Sequence, residues 1–168
     1  TADLAALAET LEVPVAHSLN GKGCLPEGHP LLLGMTGYWG TPIANEKCKT
    51  ADLIVAVGTR IAECSSSSWY RDFTFSIPPT RLMHIDIDPA ELNKNVRVDV
   101  GLIGDLRETL ESLAPRIESR DRSDWVAYIS MLKGDSAVRD IQNLPDNGHL
   151  YAAHVINDLW RETRDRET

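Results

Sequence analysis

The sequence predicts an α/β fold whose mainly parallel sheet is covered by helices on both faces. Leu53-Ile-Val-Ala-Val57 is apolar throughout, as a strand covered on both faces is, and it ends at Gly58-Thr-Arg60. Leu82–Ile87 is a second apolar strand, and it brings Asp86 and Asp88 to its C-terminal end. Around these two, strand-like runs alternate with helical periodicities, the pattern of a parallel sheet. In open sheets of this kind ligands sit where strands end and helices begin, and an acidic residue there commonly holds a sugar hydroxyl.

The elements follow in order. Residues 1–12 read as a helix, with Leu4, Leu7, Ala8 and Leu11 on one face. Val13-Pro-Val-Ala-His17 reads as a short strand, and Ser18 to Pro30, rich in Gly and Pro, as irregular chain. Leu31-Leu-Leu33 leads into Gly34-Met-Thr-Gly37, and the chain turns again at Gly40. Thr41 and Pro42 are an N-cap and first-turn signal for a helix reaching about Thr50. After the Leu53–Val57 strand, Ser65 to Ser68 is a polar loop and Trp69 to Phe75 has no clear period. Asp88, Pro89 and Glu91 carry the signature of a capping box with proline at the first position, so a helix is expected directly after the second strand. Val96 to Ile103 contains another strand. Asp105 with Glu108 opens a helix that has Leu106, Leu110, Leu113 and Ile117 on one stripe. Glu118 to Ser123 is a charged linker, followed by helices at Asp124–Lys133 and about His149–Thr163, with a turn at Pro145–Gly148 between them.

Composition narrows the function. The 168 residues are 42% hydrophobic and 25% charged, as in a soluble globular protein large enough to bury a core without metals or disulfides. The net charge of −8 argues against nucleic acid or an anionic membrane as partner. No apolar run reaches the roughly 18–20 residues that span a bilayer, and no signal-peptide pattern is present. Cys24, Cys48 and Cys64 are odd in number and widely spaced, which predicts free thiols in a reducing cytoplasm.

Several constellations carry possible chemistry. Gly34-Met-Thr-Gly37, with Gly40 and a helix start, has the make-up of a phosphate cradle, although glycines equally serve tight turns. Arg60 at a strand end suits a diphosphate, or a local carboxylate such as Glu63. Asp86 is the candidate sugar-binding acid, Asp88 a helix cap, and Asp105 either. His84, inside a strand, is expected to be a buried, hydrogen-bonded ring. No histidine has metal-ligand spacing, no GxGxxG or Walker lysine occurs, and no G-x-S-x-G elbow is present. These readings give ligand-binding edges without a catalytic centre. A small NAD-dependent enzyme is disfavoured on the same grounds.

The ordered set Pro14-Val15, Gly21-Lys-Gly23, Pro26-Glu-Gly-His-Pro30, Leu33-Gly-Met-Thr-Gly37, Ala51–Arg60, His84–Glu91, Lys94-Asn95 and Gly104-Asp105 resembles the central domain of thiamine-diphosphate-dependent enzymes. The resemblance is to the acetolactate synthase group and runs over roughly residues 3 to 115. It implies a three-layer, Rossmann-like (DHS-like NAD/FAD-binding) domain that supports the cofactor-binding domains on either side. In acetolactate synthases this domain also holds FAD. Carried over, the flavin-side contacts fall on Gly34, Met35, Thr36 and Gly37, and the diphosphate-side contacts on Gly58, Thr59 and Arg60. The adenosine end falls near Asp86, Ile87, Asp105 and Leu106. Where FAD-binding members run Phe-Asp-Asp-Arg, this chain has Ile61-Ala-Glu-Cys64, and Thr36 replaces the common Leu or His. Other relatives bind ADP or nothing at this place.

The resemblance further implies that the catalytic glutamate and the Gly-Asp-Gly motif for thiamine diphosphate and Mg2+ lie in other domains of a parent subunit, a homodimer or tetramer. The expected organisation is a central domain at 1–118 lacking its first strand, a linker with a helix at 119–148, and the start of the next domain at 149–168. The competing expectation is a stand-alone adenine-nucleotide-binding or regulatory module of the same fold.

Overall fold

A computed structural model of the chain describes residues 2–66, 68–119, 121–135 and 147–163. The chain divides into two compact units, residues 1–133 and 134–168. The first unit opens with α1 (Ala2–Leu11), β1 (Val15–His17), β2 (Leu32–Met35), α2 (Pro42–Thr50) and β3 (Leu53–Val57). It continues with α3 (Glu63–Ser66), β4 (Arg81–Asp86), β5 (Val100–Ile103) and α4 (Leu106–Leu113), and α5 (Ser123–Asp135) begins in it. The second unit contains α6 (Ala152–Thr163). The expected turn at Pro145–Gly148 lies partly outside the described residues. No helix among the described residues is long and apolar enough to cross a membrane.

The α/β class and the parallel pairing are as the sequence predicts. The strands form two parallel sheets, β1–β2 and β3–β4–β5. β4 is central, its His84 in register with Ala56 of β3 and Gly101 of β5. Among the described residues β1 pairs only with β2 and β3 only with β4, so each leaves one edge open. The exposure of one face corrects the reading of β3 as covered on both faces. Leu53 and Val55 are 43% and 46% exposed, and Ala56 is the buried residue of the strand. An apolar run identifies a strand but does not say how much of each face is covered.

Each sheet has its own core. Leu33 of β2, Ile43 and Ala44 of α2 and Ile129 of α5 are buried together, with Ala16, Trp125 and Leu132 against them. The helix within the expected linker therefore packs on the first sheet. Lys47 reinforces this contact, its ammonium 4.6 Å from the Tyr128 ring centroid and 5.6 Å from that of Trp125. The second core joins Ala56, Ile61 and Leu82 to Ile54, Phe75, Ile77, Val96 and Val98. Contacts between the halves include the turn after β2 against the backbone of α3 and the packing of α1 on α4, where Arg107 reaches Asp3 at 3.6 Å.

Capping explains the helix starts. The Thr41 hydroxyl accepts from Ala44 N–H at 3.2 Å and donates to the Leu33 carbonyl at 3.0 Å, so one side chain caps α2 and fixes it to β2. Asp105 accepts from the N–H groups of Arg107 and Glu108 and so caps α4. The helix expected after Asp88 is only a 3₁₀ turn, Pro89–Glu91. Asp88 does cap it through Ala90 N–H at 2.9 Å. Its own N–H, however, is taken by Asp86 Oδ1, and Glu91 turns to Lys94, so the reciprocal half of the capping box is lost. Asn93, at φ 61°, follows in the left-handed region, which closes off helical continuation. The polar loop read at Ser65–Ser68 begins instead inside α3, where buried Ser66 donates to the Ala62 carbonyl at 3.0 Å.

Candidate functional site

The C-terminal ends of β3, β4 and β5 line an open cavity of about 360 Å³. Gly58 N–H donates to the Ile85 carbonyl at 2.8 Å, and Gly104 N–H to the Asp86 carbonyl at 3.1 Å, so the three strand ends stay level. The Asn95 side chain donates to the carbonyls of Arg60 and Ile61, which pins the chain after β3 to the segment after β4. Six of the residues singled out in the sequence line this cavity: Gly58, Arg60, Asp86, Ile87, Asp105 and Leu106. Ile85, Asp88, Glu91 and Gly104 complete the wall. Thr59 is not on it, and its hydroxyl accepts from Ile61 N–H at 3.4 Å.

Four carboxylates and one guanidinium make up the charge of the wall. Two carboxylates act as local caps, Asp88 on Ala90 and Asp105 on α4. Asp86 accepts from Asp88 N–H through Oδ1 at 2.9 Å, which leaves Oδ2 toward the interior. Glu91 was read from the sequence only as a capping residue. Its side chain is 9% exposed, with Lys94 Nζ at 2.9 Å and Arg60 Nε at 3.7 Å. Arg60 thus meets Glu91 rather than the sequence neighbour Glu63. The capping-box pattern concealed this role, because the same spacing serves both.

Gly34, Met35, Thr36 and Gly37 do not line this cavity. Their turn is occupied by the protein itself. Thr36 N–H donates to the His17 carbonyl, Gly37 N–H to Asn45 Oδ1, Tyr38 N–H to the Cys64 carbonyl and Thr41 N–H to the Met35 carbonyl. The glycine signal at this turn is explained by close packing: a Cβ on Gly37 would lie 2.6 Å from Cys64 O and from Ser65 C and O.

His84 lies directly behind Asp86 on β4 and is 1% exposed. The burial expected from sequence is present, but the hydrogen bond is not: neither ring nitrogen has a partner. Its Nε2 is 3.8 Å from Asp86 Oδ2.

The cysteines are free. Cys64 is exposed and Cys48 half-buried, and desolvation pushes the Cys48 thiol up to about 12. At pH 8 roughly one Cys48 in ten thousand is then a thiolate. A maleimide at that pH is expected to label Cys64 and leave Cys48 unmodified until the chain unfolds, as peptide mass spectrometry would read out. Rapid labelling of native Cys48 would contradict its raised thiol pKa.

Among the described residues no three His, Cys, Asp or Glu side chains are grouped to hold a metal ion.

The parallel sheet, its helices and the cavity at the strand ends define a Rossmann-like α/β domain. The family model described as "Thiamine pyrophosphate enzyme, central domain" matches residues 1–113. The chain belongs to this family. It is 40% identical over 134 residues to a probable acetolactate synthase large subunit of Methanocaldococcus jannaschii, covering 78% of this chain and 22% of that protein. To the corresponding protein of Methanococcus aeolicus it is 35% identical, over 85% of this chain and 25% of the relative. To the acetolactate synthase isozyme 3 large subunit of Escherichia coli it is 37% identical, over 93% and 27%. The chain thus spans about a quarter of the length of the curated relatives it matches.

Proposed function

We propose that this chain is a non-catalytic central domain that binds an adenine nucleotide at the β3–β4–β5 edge. Its parent is a thiamine-diphosphate-dependent subunit that makes or breaks a carbon–carbon bond of a 2-oxo acid. Residues 1–118 are the central domain, 119–148 the link, and 149–168 the entry to the following domain. Other domains, in a cytoplasmic homodimer or tetramer, supply the catalytic glutamate and hold thiamine diphosphate with Mg2+. The carbanion chemistry belongs to that cofactor when bound. This domain contributes scaffold and a nucleotide pocket.

The observation that carries the nucleotide reading is the convergence of Gly58, Arg60, Asp86 and Asp105 on one cavity from three separate strand ends. An acid at the end of the central strand is placed to accept ribose hydroxyls, and one arginine to meet a phosphate. The reading favours ADP over FAD, because the turn assigned to the flavin side is filled by Asn45 and the α3 backbone.

Calorimetric titration of the chain with ADP, FAD, and thiamine diphosphate plus Mg2+ tests this. ADP binding is expected and thiamine diphosphate binding is not. The absence of ADP binding would leave a scaffold role alone. Arg60→Ala is expected to weaken ADP binding by about 1–2 kcal/mol, roughly five- to thirtyfold. That is below the full worth of a charge-assisted hydrogen bond, because Arg60 is exposed and already shared with Glu91. Unchanged affinity would remove Arg60 from the site.

A further inference from the structure

We propose that His84 is a positioning residue for Asp86, donating from Nε2 to Asp86 Oδ2 when a ribose occupies the cavity. This inference rests on the nucleotide reading above. A fully buried imidazole with both nitrogens unpartnered is unusual, since buried polar groups nearly always find a partner. The strand explains how the ring is accommodated. His84 sits in register between Ala56 and Gly101, two of the smallest residues, which leave room beside it on both neighbouring strands. The Leu92 side chain covers Gly101, coming within 2.4 Å of where a Cβ would stand. Within this enclosure the nearby acceptor is Asp86 Oδ2, 3.8 Å from Nε2.

Asp86 is half fixed. Its Oδ1 is held by Asp88 N–H, while Oδ2 lies 3.8 Å from the imidazole, and the side chain is 10% exposed. A shift of about 1 Å brings Nε2 and Oδ2 to hydrogen-bond distance. With both oxygens held, the carboxylate presents its remaining lone pairs in one orientation, so the ribose meets an acceptor that is already aimed. The imidazole thus stands behind the acid as the donor that fixes its second oxygen.

The test uses the whole 168-residue chain, with ADP and 2′,3′-dideoxy-ADP as probes in calorimetric titration. His84→Phe keeps the ring volume without the donor, and His84→Gln restores an N–H near the position of Nε2. The expected result is a loss of about tenfold in ADP affinity for His84→Phe, with dideoxy-ADP affinity unchanged and His84→Gln within threefold of wild type for ADP. A purely structural role would weaken both nucleotides alike. That outcome, or ADP affinity equal to wild type in His84→Phe, overturns the proposal. In nitrogen-15-labelled wild type, the His84 Nε2 proton is expected to move downfield on saturation with ADP. A proton that stays in place overturns the proposal even where His84→Phe fails to fold. Failure of wild type to bind either nucleotide removes the pocket reading and this inference together. Binding by wild type without discrimination in His84→Phe removes this inference alone.

Discussion

Gly37→Ala is expected to destabilise the first unit by about 3–5 kcal/mol, a large share of the total stability of a domain this size. Two costs combine. Gly37 has φ 92°, in a region that side chains with a Cβ rarely adopt, which accounts for about 1–3 kcal/mol. The new methyl group would also stand 2.6 Å from backbone atoms of Cys64 and Ser65, which cannot rotate away as a flexible side chain would. Relief requires the turn after β2 and α3 to separate, which breaks the bonds from Tyr38 N–H to Cys64 O and from the Thr36 hydroxyl to Ser65 O. A shift of the urea midpoint read by circular dichroism measures the effect. A midpoint equal to wild type would mean that the turn and α3 do not touch in solution.

Ile129→Ala is expected to cost about 3–4 kcal/mol, the range for a fully buried aliphatic residue whose cavity cannot collapse. Ile129 is inaccessible to solvent and packs with Leu33, Ile43 and Ala44, so its removal empties the junction of β2, α2 and α5. Neighbouring Tyr128 and Trp125 are held by Lys47, which limits how far α5 can sink into the gap. Thermal unfolding would report the loss. Trp125 fluorescence would report the release of α5 itself. A change under 1 kcal/mol would show that α5 is not a fixed part of this core.

The local chemistry of the fold was legible wherever a residue acts on its own neighbours. Thr41 and Asp105 cap the helices they were expected to cap, because capping depends on positions two or three residues away. Asp86 and Arg60 reached a common cavity because strand ends in a parallel sheet are level. The misreadings arose where one pattern serves two purposes. Glu91 has capping-box spacing, yet Lys94 and Arg60 compete for it, and that competition depends on where β3 ends in space. The glycines of the Gly34–Gly37 turn signal close approach without naming what approaches, and the neighbour is Cys64–Ser65. The setting of His84 depends on its register partners Ala56 and Gly101, which come from strands far apart in sequence.

The two separate cores have a consequence for how the first unit loses its structure. Every strand pairing is non-local, with Ala16 opposite Gly34, Ile54 opposite Leu82 and His84 opposite Gly101, so neither sheet forms until a long loop has closed. Each half can nonetheless act as its own nucleus, since each has its own buried cluster. Cooperativity between them then passes through joints that include the Gly37 turn on α3 and the packing of α1 on α4. Weakening the joints uncouples the nuclei, and a single sigmoidal transition resolves into two steps, each belonging to one sheet.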